Sequence, residues 1–288
     1  MSKRIPAITQ AITQKRVAAF LKPRPRDSHK GLFGTVVVIG GASGMVGAVL
    51  LAGRAALKLG AGCVHVGLLA DDAPVVDMVQ PELMLHQAEN ALWIAKTDVL
   101  AIGCGMGNSM AAQKLLHDAL RLNIALVLDA DALNLIALHP DFQDDLRARK
   151  SATVITPHPA EAARLLGMDT AEVQAARTES AQRLSEKLHC SVALKGADSV
   201  CVTREGKTYL NKTGNPGMSA PGMGDVLTGM IAAFIAQGLD ADQALLLAVH
   251  LHGAAGDALE EKGVAVGMTA TEVTEWARWL LNQWVSQS

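Results

Sequence analysis

The chain has 288 residues, of which 50% are hydrophobic, and its 26 glycines follow no regular period. The formal net charge is only −2, and the four Trp, four Phe and one Tyr are scattered, so the sequence offers neither a basic face for phosphates nor a stacking surface for bases, which argues against nucleic-acid binding. Cys63, Cys104, Cys190 and Cys201 lie far apart, which indicates reduced thiols and a cytoplasmic protein.

Short apolar runs alternate with helical patterns along the chain, which is typical of parallel βαβ units. The predicted strands are Thr35–Ile39, Cys63–Leu69, Val99–Ile102, Ala125–Leu128, Ala152–Ile155, Ser191–Leu194 and Ser199–Thr203, followed by a hairpin over Thr203–Leu210. The predicted helices are Val46–Leu59, Ser109–Leu120, Ala160–Leu166, Thr170–Lys187, Val226–Ala236, Asp242–Glu261 and Thr269–Trp284. Because most of these strands are fully apolar, we predict an α/β fold whose mostly parallel central sheet is covered by helices on both faces.

The segment from Gly31 to Gly53 carries no charge over 23 residues, which is long enough to span a bilayer. Its seven glycines and β-branched run instead indicate a strand, a turn and a helix, so we predict no membrane association. Residues 1–6 have no apolar core of signal-peptide length. We expect residues 1–30 to form a lead-in and residues 31–288 to form a single domain.

Two glycine-rich loops follow predicted strands, at the edge where ligands bind in doubly wound sheets. The loop Gly40–Gly47 invites a dinucleotide-binding interpretation with Asp71 or Asp72 as the ribose-binding acid, but its spacing does not match Gly-x-Gly-x-x-Gly. The loop Gly103–Asn108 either lets the backbone approach a ligand or forms a simple turn.

Polar residues follow three further strands. Asp129 and Asp131 suit Mg²⁺, which prefers few protein oxygens plus phosphate oxygens, although N-capping of the next helix by Asp131 is the favoured alternative. His158 stands between two prolines and either binds a substrate or satisfies its own loop. The segment Lys195–Ser199 offers a cation and free backbone donors for a phosphate, or it is an ordinary connection.

His250 and His252 lie two residues apart on a predicted helix, where they face different directions and make a poor chelating pair. We therefore interpret both as core residues. The sequence does not identify the ligands of a metal ion.

The segment Asn215–Asp225 predicts an anion site. Three glycines open directly into an apolar helix, so several backbone N–H groups converge where the helix dipole also favours negative charge. A carboxylate such as Asp225 opposes phosphate binding there, unless it takes a proton from a hydroxyl that attacks the phosphate. The alternative is that Asp225 only caps the helix.

Taken in order, nine motifs resemble the ADP-dependent NAD(P)H-hydrate dehydratase family. They are Ser28–Gly31, Gly40–Ala48, Gly60–Gly62, Asp129–Asn134, Thr156–Pro159, Leu194–Ala197, Asn215–Met218, Gly222–Gly229 and His252–Asp257. The match runs from Pro23 to Glu272, and nine motifs in one order are far more specific than any one of them.

This resemblance implies a ribokinase-like three-layer fold and a repair lyase. Such an enzyme returns the 6S hydrate of NADH or NADPH to the working cofactor by phosphorylating its C6 hydroxyl and eliminating phosphate, with ADP, or in some members ATP, as phosphoryl donor and Mg²⁺ as counter-ion. It implies that the hydrate is bound by Ala48, Gly105, Gly107, His158 and Asp225. It implies that ADP is bound by Lys195, Gly196, Ala197, Asp198, Ser199 and Gly224, beside an anion loop of Gly222, Met223 and Gly224. Asp225 is the implied catalytic base.

The resemblance also carries expectations about partners and departures. It implies a homotetramer and an NAD(P)H-hydrate epimerase on a separate chain. Lys30 and Arg54, as basic residues, are candidates for contacting a 2′-phosphate. Cys104 stands where the family usually has Pro, Ala160 where Gly is usual, and Ala220–Pro221 where Thr or Ser before Gly is common. A ribokinase-like thiazole or pyrimidine alcohol kinase and a non-catalytic nucleotide sensor are the alternative functions.

Overall fold

The computed structural model describes residues 9–287, and within them ten strands form one sheet. The strands are β1 (Gln10–Ala11), β2 (Thr35–Gly40), β3 (Cys63–Leu68), β4 (Met84–Gln87), β5 (Val99–Ile102), β6 (Ala125–Leu128), β7 (Thr153–Ile155), β8 (Ser191–Leu194), β9 (Val200–Val202) and β10 (Thr208–Leu210). Their order across the sheet is β1-β10-β9-β8-β7-β6-β5-β2-β3-β4. All neighbours from β4 to β8 are parallel, whereas β9 is antiparallel to both β8 and β10.

Helices occupy the connections between the strands. They are α1 (Gln14–Ala18), α2 (Val46–Lys58), α3 (Ala88–Ala91), α4 (Met110–Leu120), α5 (Asp131–Leu138), α6 (Pro140–Ala148), α7 (Pro159–Leu166), α8 (Thr170–Ala175), α9 (Arg177–Leu188), α10 (Met223–Ala236), α11 (Ala241–Glu261) and α12 (Ala270–Gln287). Short 3₁₀ turns cover Lys30–Phe33 and Pro216–Met218.

Each face of the sheet has its own hydrophobic core, because successive strand side chains point to opposite faces. Val36 and Val38 pack with α2, α10 and α11, whereas Val37 and Ile39 pack with α4, α5 and α9. The predicted sheet with helices on both faces is therefore confirmed. On the first face, α10 crosses α2 so closely that a Cβ at Gly229 would lie 2.0 Å from the carbonyl oxygen of Ala52.

The predicted strands and the Thr203–Leu210 hairpin are present, with end positions that differ by a residue or two. The predicted helix Thr170–Lys187 is wrong as a single element, because Ala176 leaves helical geometry with φ −132° and ψ 50° and separates α8 from α9. The sequence interpretation also missed β1, α1, β4, α3, α5 and α6. The last two are short helices divided by Pro140, which occupies the first turn of α6.

Part of the predicted lead-in belongs to the sheet. The strand β1 pairs with β10 in parallel, and the side chain of Val17 in α1 is fully buried. Within residues 9–287, no helix combines the length and apolar character that a bilayer crossing needs. The four cysteines carry free thiols.

Candidate active site

The two glycine-rich loops lie side by side at the carboxyl ends of β2 and β5. Gly41 N–H donates to the carbonyl of Cys104 at 2.9 Å, and Ala42 N–H donates to the carbonyl of Gly105 at 2.7 Å. Gly105 has φ 59°, and a Cβ there would lie 3.1 Å from the Cβ of Ala48. The structure therefore brings together Ala48 and the Gly105 loop, both of which the resemblance assigns to the hydrate.

Asp131 supports the second glycine loop and does not cap its helix. The N-cap residue of α5 is Ala130, which has φ 49° and makes no side-chain capping bond. The Asp131 carboxylate instead accepts a hydrogen bond from Gly107 N–H at 2.9 Å. The capping prediction for Asp131 is wrong because the side chain turns toward the neighbouring loop of β5.

Asp129 directly follows β6, and both of its carboxylate oxygens bind groups inside the protein. Oδ1 accepts from the ammonium of Lys195 at 2.6 Å, and Oδ2 accepts from the hydroxyl of Thr228 at 2.9 Å. The side chain of Asp129 is 1% exposed. The described residues contain no group of three or more His, Cys, Asp or Glu side chains that would hold a metal ion. Both oxygens of Asp129 are thus engaged by protein donors, and a role of Asp129 and Asp131 in holding Mg²⁺ stays a prediction.

Lys195 is the cation of this region. Burial alone would lower the pKa of Lys195, but the carboxylates of Asp129 and Glu161 outweigh burial and hold the pKa above its ordinary value. The pKa of Glu161 is in turn lowered, since hydrogen bonding to His158 and the charge of Lys195 outweigh the effect of burial. Lys195 therefore stays charged between two buried carboxylates.

The anion loop begins α10 in the way its glycines predict. Gly222 is the N-cap residue, and its φ of 88° lies in the left-handed region that favours glycine. Met223, Gly224 and Asp225 form the first turn, where backbone N–H groups have no acceptor within the helix. Asp225 is three residues past the N-cap position, so it does not occupy that position itself, and its carboxylate lies in the first turn, where negative charge is favoured.

The carboxylate of Asp225 meets the thiol of Cys104 in the second glycine loop. Burial raises the pKa of Asp225 to about 6, and the charges of Asp129 and Asp131 act in the same direction. Hydrogen bonding to Cys104 and the charge of Lys195 oppose this rise. A carboxyl group with this pKa is ionised near neutral pH and is a stronger base than an exposed aspartate.

A cavity of about 500 Å³ opens beside the anion loop. Its wall contains the residues that the resemblance assigns to ADP, namely Lys195, Gly196, Ala197, Asp198, Ser199 and Gly224. Met223, Asn215 and Met218 complete one side of it. The size is in the range of small-molecule sites. The predicted nucleotide-binding residues thus line one cavity.

His158 caps α7 with its side chain. Its Nδ1 accepts from the N–H groups of Ala160 and Glu161 at 3.1 and 3.3 Å, and its Nε2 lies 3.1 Å from Glu161 Oε1. Because Nδ1 accepts, the ring proton is on Nε2 and is donated to Glu161. Pro159 occupies the first helical position, as predicted. The imidazole satisfies its own loop while 47% of the side chain stays exposed.

The two histidines of α11 have different surroundings. His250 is buried and bonds through Nδ1 to Asn211 Oδ1 at 3.0 Å, which confirms its prediction as a core residue. His252 instead lines the cavity beside the anion loop, where burial and the charge of Lys195 lower its pKa to about 4. The core prediction for His252 therefore needs correction, because the cavity opens along this turn of α11.

Arg54 and Lys30, the two basic candidates for contacting a 2′-phosphate, are not among the residues that line the cavity beside the anion loop. Arg54 forms two hydrogen bonds of 2.7 Å with the carboxylate of Asp77. The carbonyl of Lys30 faces Gly62, just before β3 and at the opposite end of the strands from the glycine loops.

The sequence interpretation also missed Glu161 and Thr228. Only Glu161 could have been predicted from the sequence, because an acid three residues after an N-cap residue is typical of a capping box.

The strand order, the paired glycine loops and the nucleotide-sized cavity define a ribokinase-like α/β protein with its site at the carboxyl ends of the strands. Within this class, the chain belongs to the NAD(P)H-hydrate dehydratase family, whose model matches residues 36–278.

Three relatives illustrate the similarity. The ADP-dependent (S)-NAD(P)H-hydrate dehydratase of Neisseria meningitidis is 39% identical over 275 residues, covering 94% of this chain and 93% of the relative. A bifunctional NAD(P)H-hydrate repair enzyme of Coxiella burnetii is 40% identical over 95% of this chain, which spans 56% of that relative. The crystal structure of the Bacillus subtilis ADP/ATP-dependent NAD(P)H-hydrate dehydratase, co-crystallised with ATP and Mg²⁺, has a TM-score of 0.85 and 29% identity and covers 96% of this chain and 99% of that one.

Proposed function

We propose that this protein is an ADP-dependent (S)-NAD(P)H-hydrate dehydratase, a lyase that repairs the 6S hydrates of NADH and NADPH. One observation carries the proposal: Asp225 stands between two ligand surfaces. Gly224, the residue before Asp225, lines the nucleotide cavity. The carboxylate of Asp225 lies beside Cys104, in the glycine loop that neighbours Ala48. A base in that position serves a reaction between two bound molecules.

The chemistry follows from this placement. Asp225 takes the proton of the C6 hydroxyl, and the hydroxyl oxygen attacks the terminal phosphorus of ADP, whose bond to the bridging oxygen of AMP breaks. Phosphate is a better leaving group than hydroxide. The ring-nitrogen lone pair then expels it from C6, and loss of a C5 proton restores the dihydronicotinamide. The products are AMP, phosphate and NADH or NADPH.

The residues around Asp225 fit these steps. The N–H groups in the first turn of α10 face the charge that develops on the transferred phosphoryl group. Lys195 adds a fixed positive charge in the nucleotide cavity. Ala48, Gly105, Gly107 and His158 are proposed to contact the hydrate. Of these, Gly107 N–H already donates to Asp131, so Gly107 contributes shape more than hydrogen bonding.

Mg²⁺ is proposed to enter with the nucleotide. Mg²⁺ keeps most of its waters and binds phosphate oxygens with one or two carboxylates, so the lack of a dedicated ligand cluster among the described residues suits a nucleotide-borne ion. When bound, it neutralises phosphate charge. We further propose a cytoplasmic homotetramer that works with an NAD(P)H-hydrate epimerase on a separate chain.

The deciding experiment supplies NADH hydrate and ADP with Mg²⁺. We expect the absorbance of reduced nicotinamide to return in step with the release of phosphate and AMP. Nucleotide consumption that requires an added alcohol, with a stable phosphorylated product, would instead identify an alcohol kinase. Nucleotide binding without turnover would identify a sensor. Sedimentation of a single 30.2 kDa species would contradict the tetramer.

A further inference from the structure

We propose that Asp129 is a positioning residue of the active site, which holds the Lys195 ammonium in place and, through its own charge, controls when Asp225 accepts a proton. This inference rests on the proposed role of Asp225 as the base. Asp129 is not predicted to touch the hydrate or ADP.

Asp129 directly follows β6, Lys195 directly follows β8, and Thr228 lies in the second turn of α10. The Asp129 carboxylate binds both partners, so it ties two strand ends to the helix that carries Asp225. With a side chain only 1% exposed and both oxygens occupied, Asp129 has one available orientation.

Gly224 shows how close the base lies to this pair. A Cβ at Gly224 would be 3.2 Å from Lys195 Nζ and 3.3 Å from Asp129 Oδ2. The backbone of the residue before Asp225 therefore packs directly over the ion pair. A change in the Asp129 charge acts on the Asp225 carboxylate at short range in a poorly solvated region.

The groups that act on Asp225 from the surrounding elements are Cys104 after β5, Asp129 and Asp131 after β6, and Lys195 after β8. Asp129 opposes ionisation of Asp225, and Lys195 favours it. Replacing Asp129 by a neutral side chain removes the unfavourable charge and leaves the favourable one uncompensated. Loss of the Asp129 charge therefore lowers the pKa of Asp225.

The test uses Asp129→Asn, with Asp77→Asn as matched control. Both aspartates have side chains that are 1% exposed, and both pair with a cation of similar exposure, 21% for Lys195 and 22% for Arg54. Asp77 does not act on Asp225. Both variants therefore lose a buried ion pair, but only Asp129→Asn is expected to change the pKa of Asp225.

Two readouts are needed. The first is the ¹³C chemical shift of the Asp225 carboxyl group against pH, with the resonance assigned by its absence in Asp225→Asn. It requires no activity, so it separates this inference from the proposed function. The second is the pH profile of kcat/KM with NADH hydrate and ADP, measured alongside ADP affinity.

We expect Asp129→Asn to move the Asp225 titration and the acid limb of the profile down by on the order of one pH unit, and Asp77→Asn to leave both in place. Turnover at pH 8 should fall, because Lys195 is no longer fixed and Asp225 is a weaker base. ADP affinity is measured alongside because the variant has two opposing effects: loss of a negative charge near the phosphates favours ADP, whereas release of the Lys195 ammonium disfavours it.

The inference is overturned if the Asp225 titration is the same in wild type and Asp129→Asn, or if both aspartate variants shift it equally. If Asp129→Asn does not fold, Asp129→Ser removes the same charge with a smaller side chain and is held to the same criterion. A wild-type protein that does not dehydrate the hydrate would remove the proposed function, yet the carboxyl titration would still decide the coupling.

Discussion

The Cys104 thiol and the Asp225 carboxylate are neighbours, and each shifts the pKa of the other through charge or hydrogen bonding. Burial, together with the charge of Asp225, raises the pKa of Cys104 well above its ordinary value, so the sulfur keeps its proton and donates it. A neutral donor of this kind favours the ionised carboxylate. Cys104 is therefore a direct neighbour of the proposed base.

Replacing Cys104 by Ala should raise the pKa of Asp225, because the donor to the carboxylate is lost. The acid limb of kcat/KM should move to higher pH, by less than one unit, since S–H is a weak donor. Cys190→Ala is the matched control, because Cys190 is also fully buried but does not act on Asp225. An acid limb that stays in place in Cys104→Ala would show that the thiol only fills space.

The wild-type enzyme should lose activity on acidification with an apparent pKa near 6. The base acts when ionised, and Asp225 is ionised above about pH 6 and protonated below it. We therefore expect kcat/KM to fall about tenfold per pH unit below that point and to level off above it. Profiles measured with NADH hydrate and with NADPH hydrate should share this limb. A limb near pH 4 would contradict a desolvated Asp225.

Much of this site follows from local sequence. The β-branched run before Gly40 predicts a strand, and the glycines after it predict a loop at a carboxyl end, where the structure has both. The position of Asp225 in the first turn of a helix also follows from the glycines that precede it. These features depend on residues that are neighbours in the chain.

The ion pair could not be predicted in the same way. Asp129 lies 66 residues from Lys195 and 99 residues from Thr228, and only the sheet order β8-β7-β6 and the crossing of α10 bring them together. Sequence alone therefore favoured Mg²⁺ or a cap for the two aspartates after β6. The role of Asp131 could not be predicted for the same reason, because its carboxylate accepts a hydrogen bond from Gly107 in the adjacent loop after β5.

Two substitutions separate the roles of His158. His158→Ala removes the capping acceptor of α7 and should cost about 0.5–2 kcal/mol of folding free energy. His158→Asn keeps a side-chain oxygen that caps helices well, so its melting temperature should stay near that of the wild type. If His158 contacts the hydrate, both variants should raise KM for the hydrate and leave ADP affinity unchanged. Normal kinetics in His158→Asn would limit His158 to capping.

Gly224→Ala tests the contact between the anion loop and the ion pair. The added Cβ would lie 3.2 Å from Lys195 Nζ and 3.3 Å from Asp129 Oδ2, closer than ordinary contact, so the ammonium must move. Alanine also favours a helix over glycine by up to about 1 kcal/mol, so the fold should not suffer. We expect ADP affinity to fall about tenfold at an unchanged or higher melting temperature. Unchanged ADP affinity would show that Lys195 does not need its present position.

Asp225→Asn separates base catalysis from stability most sharply. Burial raises the pKa of Asp225 in the folded protein to about 6, against an ordinary 3.8, so the folded state binds the extra proton and stability from this group declines as pH rises through that range. Asparagine has no such charge. At pH 8 the variant should therefore be at least as stable as the wild type, by about 3 kcal/mol at most, and the difference should shrink toward pH 4.

The same variant should bind ADP as well as the wild type or better, because a negative charge beside the phosphates is gone. Turnover should nevertheless fall by on the order of 10² to 10⁴, the usual contribution of a positioned base. Melting temperature at pH 5 and pH 8, ADP affinity and hydrate turnover are measured on one preparation, so that a folding defect is seen directly. If Asp225→Asn keeps near-normal turnover, Asp225 is not the base, and proton removal from the hydroxyl must be assigned to another group at the carboxyl ends of the strands.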